Sequence, residues 1–225
     1  DEWTIGDYLR PLGYRSVLVG KTHFKPDLET MQRYGIDPGT NPGLPYWQCG
    51  FEAYERDDGL HPEEYGDGDI AYNQWLRQKG YPGENPWHTY ANSVEGENGE
   101  VLSGWQMRNA RLPARLKEEH SETAYMTDRA LEFLSRHQAE KPEQPWCLHL
   151  SYIKPHWPYI APAPYHDMFS EDDVQPAIRS DGERQNPHPV YGAFMDMRVS
   201  RNFSREEVRR RVIPAHPRAT RSLRY

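Results

Sequence analysis

The chain has 225 residues, enough for one sizeable domain or for a piece of a larger one. A formal charge of −7 and a pI near 5.8 exclude a nucleic-acid partner held by a general basic field, and no run of about 18 apolar residues offers a membrane-crossing helix. Mean hydropathy of −0.99 and a hydrophobic share of 36% fall below the usual apolar fraction of about one half, so much of the middle of the chain is expected to be surface loop.

Thr4 to Leu12 reads as a short helix: Ile5, Tyr8 and Leu9 recur at i, i+3 and i+4, Thr4 can cap it, and Gly13 can end it. Pro11, which lacks a backbone N–H, is expected to shorten it. Arg15–Gly20 follows at once as a strand, a short apolar run of the kind buried inside a parallel sheet. The region 24–118 is rich in Gly and Pro, with Pro-Gly pairs at 38–39, 42–43 and 82–83. It is read as long irregular surface loops with one helical stretch at Asp69–Lys79. Ser121–His137 is the clearest helix, with Met126, Ala130, Phe133 and Leu134 on one stripe. A Pro-containing turn then feeds a second strand, Trp146–Ile153. Helix then strand, twice, predicts an α/β fold with a mostly parallel central sheet. Trp157–Pro164 reads as extended, and Ser204–Val212 as a further helix start with Glu207 three residues after its cap. The end, His216–Tyr225, is basic and without helical periodicity.

Cys49 and Cys147 are the only cysteines, which is no disulfide framework and fits a reducing compartment. A cytoplasmic placement is therefore expected. Cys147, inside an apolar run, reads as a buried and inert thiol. The chain opens at Asp1 without a methionine and reads as cut from something longer.

Both strands end in Lys-x-His: Lys21-Thr22-His23 and Lys154-Pro155-His156. Ligands of open α/β sheets sit beyond the carboxyl ends of the strands, so each unit would deliver an ammonium and an imidazole to the same rim. A spacing of two places both side chains on one side of an extended segment. Lysine offers a point charge to a sulfate or phosphate oxygen, and histidine moves protons near neutral pH. The bland alternatives are a solvated strand-end charge for Lys21, a structural imidazole for His23 and a side chain snorkelled over aromatics for Lys154. The expected partner is a small anionic ester, with no nucleic acid and no membrane; assembly into a homo-oligomer is left open.

Gly13-Tyr14-Arg15-Ser16-Val17-Leu18-Val19-Gly20-Lys21-Thr22-His23 resembles the second sulfatase signature, a Gly-Tyr-x-Thr/Ser stretch leading into Gly-Lys-x-His. Lys154-Pro155-His156-Trp157-Pro158-Tyr159 resembles the Lys-Pro-His-x-Pro-Phe/Tyr segment of the same enzymes. Glu55-Arg56-Asp57-Asp58-Gly59, His61-Pro62 and the run Pro145–Phe169 are similar to the phosphonate monoester hydrolase branch of the sulfatase group, within the alkaline phosphatase superfamily. The resemblance reaches to about Ala215. It implies a partial alkaline-phosphatase/sulfatase-like sandwich with long surface loops, and 1–215 as an internal part of one catalytic domain. It implies a hydrolase of sulfate esters or of phosphonate and phosphate monoesters and diesters, with a formylglycine nucleophile and a divalent metal (Ca, Mg or Mn). By that analogy Lys21 and His23 contact the nucleophile and the ester oxygens. His156 binds the ester oxygen or protonates the leaving group, and Lys154 stands second beside it.

The sequence departs from the family at the nucleophile: neither cysteine opens a Cys-x-Pro-x-Arg motif. Formylglycine and the metal ligands are therefore expected outside this chain, and the segment alone is expected to be inactive. Asp57-Asp58-Gly59-Leu60-His61 resembles a hard-metal site but is read as a solvated turn. The segment 216–225 is read as an atypical tail from a frameshift or truncation. Two alternatives stay open: a non-catalytic, anion-binding or scaffold remnant of the fold, and a phosphodiesterase or transferase with a Ser or Thr nucleophile.

Overall fold

A computed structural model describes residues 3–23, 28–33, 35, 37, 49–59 and 70–221. In chain order its regular elements are α1 (Ile5–Leu9), β1 (Arg15–Gly20), α2 (Leu28–Arg33), β2 (Glu52–Arg56), α3 (Ala71–Gln78), β3 (Ser93–Glu95), β4 (Val101–Ser103), α4 (Glu122–Glu140), β5 (Trp146–Ser151), α5 (Gly182–Gln185), α6 (Pro189–Asp196), α7 (Arg198–Phe203) and α8 (Glu206–Arg221). They fall into two units, Asp1–Gly66 with Glu122–Ile153, and Asp67–Ser121 with Lys154–Tyr225.

The first unit is an α/β layer built on a parallel sheet of order β2-β1-β5. β1 has the predicted bounds, and Val17, Leu18 and Val19 are fully buried because the strand has a neighbour on each side. Each such side chain contributes about 1.5–3 kcal/mol of burial. The predicted stripe on α4 is the inward one: Met126, Ala130 and Phe133 are buried, with Tyr125 and His137 beside them, while Leu134 is half-buried. Phe133 holds the layers together, its ring 5.7 Å from Tyr54 on β2 and 6.2 Å from Trp146 on β5. The Arg15 guanidinium lies 5.3 Å from the same ring. His137 Nε2 donates to Gln144 O at 2.8 Å, which ties the end of α4 to the turn before β5. Ahead of β1, α1 stops at Leu9, and Pro11 sits in a single 3₁₀ turn that Gly13 ends at φ 85°.

β2 lies in the region read as loop. Its sequence, Glu-Ala-Tyr-Glu-Arg, has no apolar run, because among the described residues it pairs with β1 alone and its positions are exposed or half-buried. It is registered on β1 by polar contacts instead: Arg15 Nε donates to Glu52 Oε2 at 3.0 Å and Nη2 to Oε1 at 2.7 Å. β5 also corrects an expectation. It stops at Ser151, and among the described residues it pairs only with β1, so Trp146 is 45% exposed and Cys147 half-buried rather than sealed.

In the second unit the described part of the predicted loop region, 70–118, is not mostly surface. α3 replaces the expected helix of Asp69–Lys79, whose first residue is outside the described residues, and buries Tyr72, Asn73 and Leu76. Trp87 is 1% exposed on a wide turn, Trp87–Ala91. Burying such a turn requires partners for its amides, and asparagines supply them. Asn73 Oδ1 accepts from Trp87 N at 2.6 Å, Asn85 Oδ1 from His88 N at 3.2 Å, and Asn92 Nδ2 donates to Trp87 O at 3.3 Å. β3 and β4 form an antiparallel hairpin after this turn. Trp87, Trp105 and Trp157 form an aromatic cluster, with Trp105 and Trp157 edge to face at 4.6 Å. The carboxyl end differs from expectation: α8 continues through Pro214 and Pro217 to Arg221. Val212 and Ala215, one turn apart, are buried, so packing fixes the helix just ahead of the tail into which it continues. Among the described residues no helix is long and apolar enough to cross a membrane.

Candidate active site

The carboxyl end of β1 is pinned from both flanks. Lys21 N donates to Ser151 O at 3.1 Å, and Asp57 N donates to Gly20 O at 3.3 Å. Gly20 has φ 102°, and a Cβ there would lie 1.8 Å from Ser151 O. Only glycine lets β1 and β5 approach this closely while the chain turns.

Beyond Gly20 the segment is held by one carboxylate. Thr22 N and His23 N each donate to Asp58 Oδ1 at 3.1 Å, and Arg56 Nη2 donates to Asp58 Oδ2 at 2.6 Å. Burial pushes the Asp58 carboxyl up, but the His23 and Thr22 amides and Arg56 outweigh it and hold the group below its ordinary value. Asp57 is buried, and its Oδ1 accepts from Gly59 N at 2.7 Å. The pair is therefore not a solvated turn. Sequence reasoning missed Asp58 because its role depends on β2, which carries no apolar signal.

Lys21 is half-buried and His23 exposed. Among the described residues the Lys21 ammonium and the His23 imidazole make no hydrogen bond or ion pair. His23 has φ 59°, a left-handed backbone, so the segment turns and the expected alternation of an extended strand does not hold. Lys21 lies in the strand-end position; His23 leaves it on a bend.

Lys154 and His156 belong to the second unit. Residues 154–158 form turns and bends rather than an extended segment, so the same-side argument fails here too. Lys154 Nζ donates to Pro158 O at 2.7 Å, which turns the ammonium back onto its own loop. His156 is exposed, and its Nδ1 lies 2.6 Å from Trp157 O. A carbonyl only accepts, so Nδ1 carries a proton and Nε2 is the other ring nitrogen, not engaged by that bond.

Neither cysteine suits a nucleophile in this chain: both are half-buried, and burial, ahead of the Asp7 charge, pushes the Cys49 thiol up. Among the described residues no three His, Cys, Asp or Glu side chains gather as metal ligands. Asp57 and Asp58 are engaged by backbone amides and Arg56, and His61 lies outside the described residues. These residues do not fit a divalent metal.

Comparison with known proteins gives a consistent picture. The Sulfatase family matches residues 1–197. A multifunctional alkaline phosphatase superfamily protein of Trinickia caryophylli is 26% identical over 198 residues, covering 85% of this chain and 34% of that protein. A choline-sulfatase of Rhizobium meliloti (strain 1021) is 26% identical over 190 residues, covering 82% and 30%. The phosphonate monoester hydrolase structure from Silicibacter pomeroyi superposes with a TM-score of 0.64 at 22% identity, covering 97% of this chain and 41% of that one. The chain thus spans about a third of the length of the curated relatives it matches, and the structural likeness establishes a sulfatase-type α/β fold with a parallel central sheet.

Proposed function

Because this chain belongs to the sulfatase family, we propose that it is an internal part of a hydrolase acting on sulfate esters or on phosphonate and phosphate monoesters and diesters. The observation that carries the reading is the anchored Lys21–His23 segment. It presents an ammonium and an imidazole, unpartnered among the described residues, at the carboxyl end of a central parallel strand, where α/β folds bind ligands.

In this reading the Lys21 ammonium binds a non-bridging oxygen of the ester and stabilises charge that develops there. His23 contacts the ester or the nucleophile. His156 acts on the leaving-group oxygen: with Nδ1–H on the Trp157 carbonyl, Nε2 is the nitrogen that donates when the ring is protonated. Lys154 is assigned a lesser role, since its ammonium already donates to Pro158 O. The proposal includes a formylglycine nucleophile and a divalent metal carried elsewhere in the full-length protein; together they would supply the attacking group and neutralise ester charge. The segment alone is then inactive.

The test is kinetic. In the full-length protein, Lys21→Ala and His156→Ala should each lower kcat for an aryl sulfate or aryl phosphonate ester by about 10²–10³-fold. The 225-residue chain alone should hydrolyse neither. Near-native turnover in both variants would remove these residues from the mechanism, and hydrolysis by the isolated chain would show that the reacting groups lie within it. A full-length protein that binds sulfate but turns over no ester would favour an anion-binding scaffold.

A further inference from the structure

We propose that Asp58 is a positioning residue for the Lys21–His23 segment, its carboxylate fixing the two amides that set where the ammonium and imidazole stand. This rests on the catalytic reading of Lys21 and His23.

The geometry is specific. Oδ1 accepts from two consecutive amides, Thr22 N and His23 N, both at 3.1 Å. Oδ2 is held by Arg56 Nη2 at 2.6 Å. Arg56 is the last residue of β2 and pairs in register with Gly20, the last of β1. The carboxylate therefore bridges the end of one strand to the segment leaving its neighbour.

The support is itself fixed before any ligand arrives. Asp57 N donates to Gly20 O, and Gly59 N closes a tight turn onto Asp57 Oδ1, so the residues on both sides of Asp58 are hydrogen-bonded in place. Arg56 has only 17% of its side chain exposed. His23 adopts φ 59°, a backbone that an L-residue with a bulky ring holds only when its surroundings impose it. The amide of that same residue is one of the two Asp58 takes. Charge-assisted bonds from carboxylate to backbone N–H are among the stronger kinds available. Were Asp58 a merely solvated acid, neither amide would have reason to converge on one oxygen.

Removing the carboxylate frees the backbone after Lys21, from Thr22 onward, and displacement of a catalytic group by about 1 Å can cost on the order of 10²-fold in rate. Asparagine keeps an acceptor oxygen for both amides while giving up the ion pair to Arg56. Two readouts are needed. In amide hydrogen exchange, Asp58→Ala should lower protection of Thr22 and His23 by on the order of tenfold or more while β1 amides keep theirs. Asp58→Asn should keep most of it. In the full-length protein, Asp58→Ala should lower kcat by on the order of 10²-fold with KM little changed, and Asp58→Asn should recover most of that.

Unchanged protection of Thr22 and His23 in Asp58→Ala overturns the proposal whatever the activity. Lost protection with unchanged kcat overturns it as well, since the contact would then be structural only. If Asp58→Ala does not fold, Asp58→Glu, which displaces the carboxylate by one methylene, takes its place with the same expected loss. If the wild-type protein hydrolyses neither ester, the catalytic reading falls, and exchange at Thr22 and His23 still decides whether Asp58 sets the segment.

Discussion

Gly20→Ala tests the close approach of β1 and β5. An ideal Cβ would sit 1.8 Å from Ser151 O, against the 3.0 Å that real contacts require, and the atom it meets is a backbone carbonyl oxygen. No flexible side chain can yield, so the strands must part locally. That loses the bond from Lys21 N to Ser151 O, 3.1 Å long, worth about 1 kcal/mol. Holding φ near 102° adds about 1–2 kcal/mol for an L-residue, and the forced shift another 1–3 kcal/mol, roughly as for overpacking. A total of about 3–6 kcal/mol is expected. Gly13→Ala is the control: its φ is 85°, but nothing lies within 4 Å of the new Cβ, so only the backbone term applies. In urea unfolding followed by circular dichroism, with m of about 2 kcal/mol/M, Gly20→Ala should lower the midpoint by about 1.5–3 M and Gly13→Ala by about 0.5–1 M. Equal shifts for the two variants would refute the steric argument.

Phe133→Ala removes the ring that meets Tyr54, Trp146 and Arg15; a loss of about 3–5 kcal/mol is expected in the same assay, and a loss under about 1 kcal/mol would mean that α4 does not pack on the sheet through this residue. Asp58 and Glu55 should respond to pH with opposite signs. The Asp58 carboxyl is held low, so its contribution is complete above the ordinary Asp value of about 3.9 and is lost as pH falls through its folded value. The stability gap between wild type and Asp58→Asn should therefore narrow in acid, and a gap that widens would contradict the ion pair. Burial pushes the Glu55 carboxyl up, against the hydrogen bond donated by Tyr125 at 3.0 Å and with the Asp57 charge adding to it. Its favourable contribution is complete below the ordinary Glu value and is lost as pH rises through the folded one. Glu55→Gln should thus match or exceed wild-type stability at pH 7, and a clear loss there would show that the ionised carboxylate is the stabilising form.

Local pattern was sufficient where residues meet the core. The apolar run of β1 and the stripe Met126, Ala130 and Phe133 are legible because burial repeats with the period of the element itself. Lys21, His23, Lys154 and His156 were legible as a repeated Lys-x-His pattern, and they lie within the residues the family matches. Their conformations were not: His23 bends into a left-handed backbone and residues 154–158 turn, so the two-residue spacing places neither pair as a strand would. β2 escaped because a strand that pairs on one side only, as it does among the described residues, can be polar; it is registered by Arg15 and Glu52 rather than by apolar burial. The buried asparagines around Trp87 escaped because an amide that satisfies a turn looks, in sequence, like one facing water.

The sequence by itself determined a sulfatase-type α/β chain, its central strand and the two segments that end in Lys-x-His. Only the tertiary structure decided that Asp58 is the residue holding the first of those ends in place. The reason is physical: burial leaves a periodic trace along the chain, whereas a carboxylate's role depends on which amides come within its reach. Thr22, His23 and Asp58 meet only because β1 and β2 run parallel and end side by side.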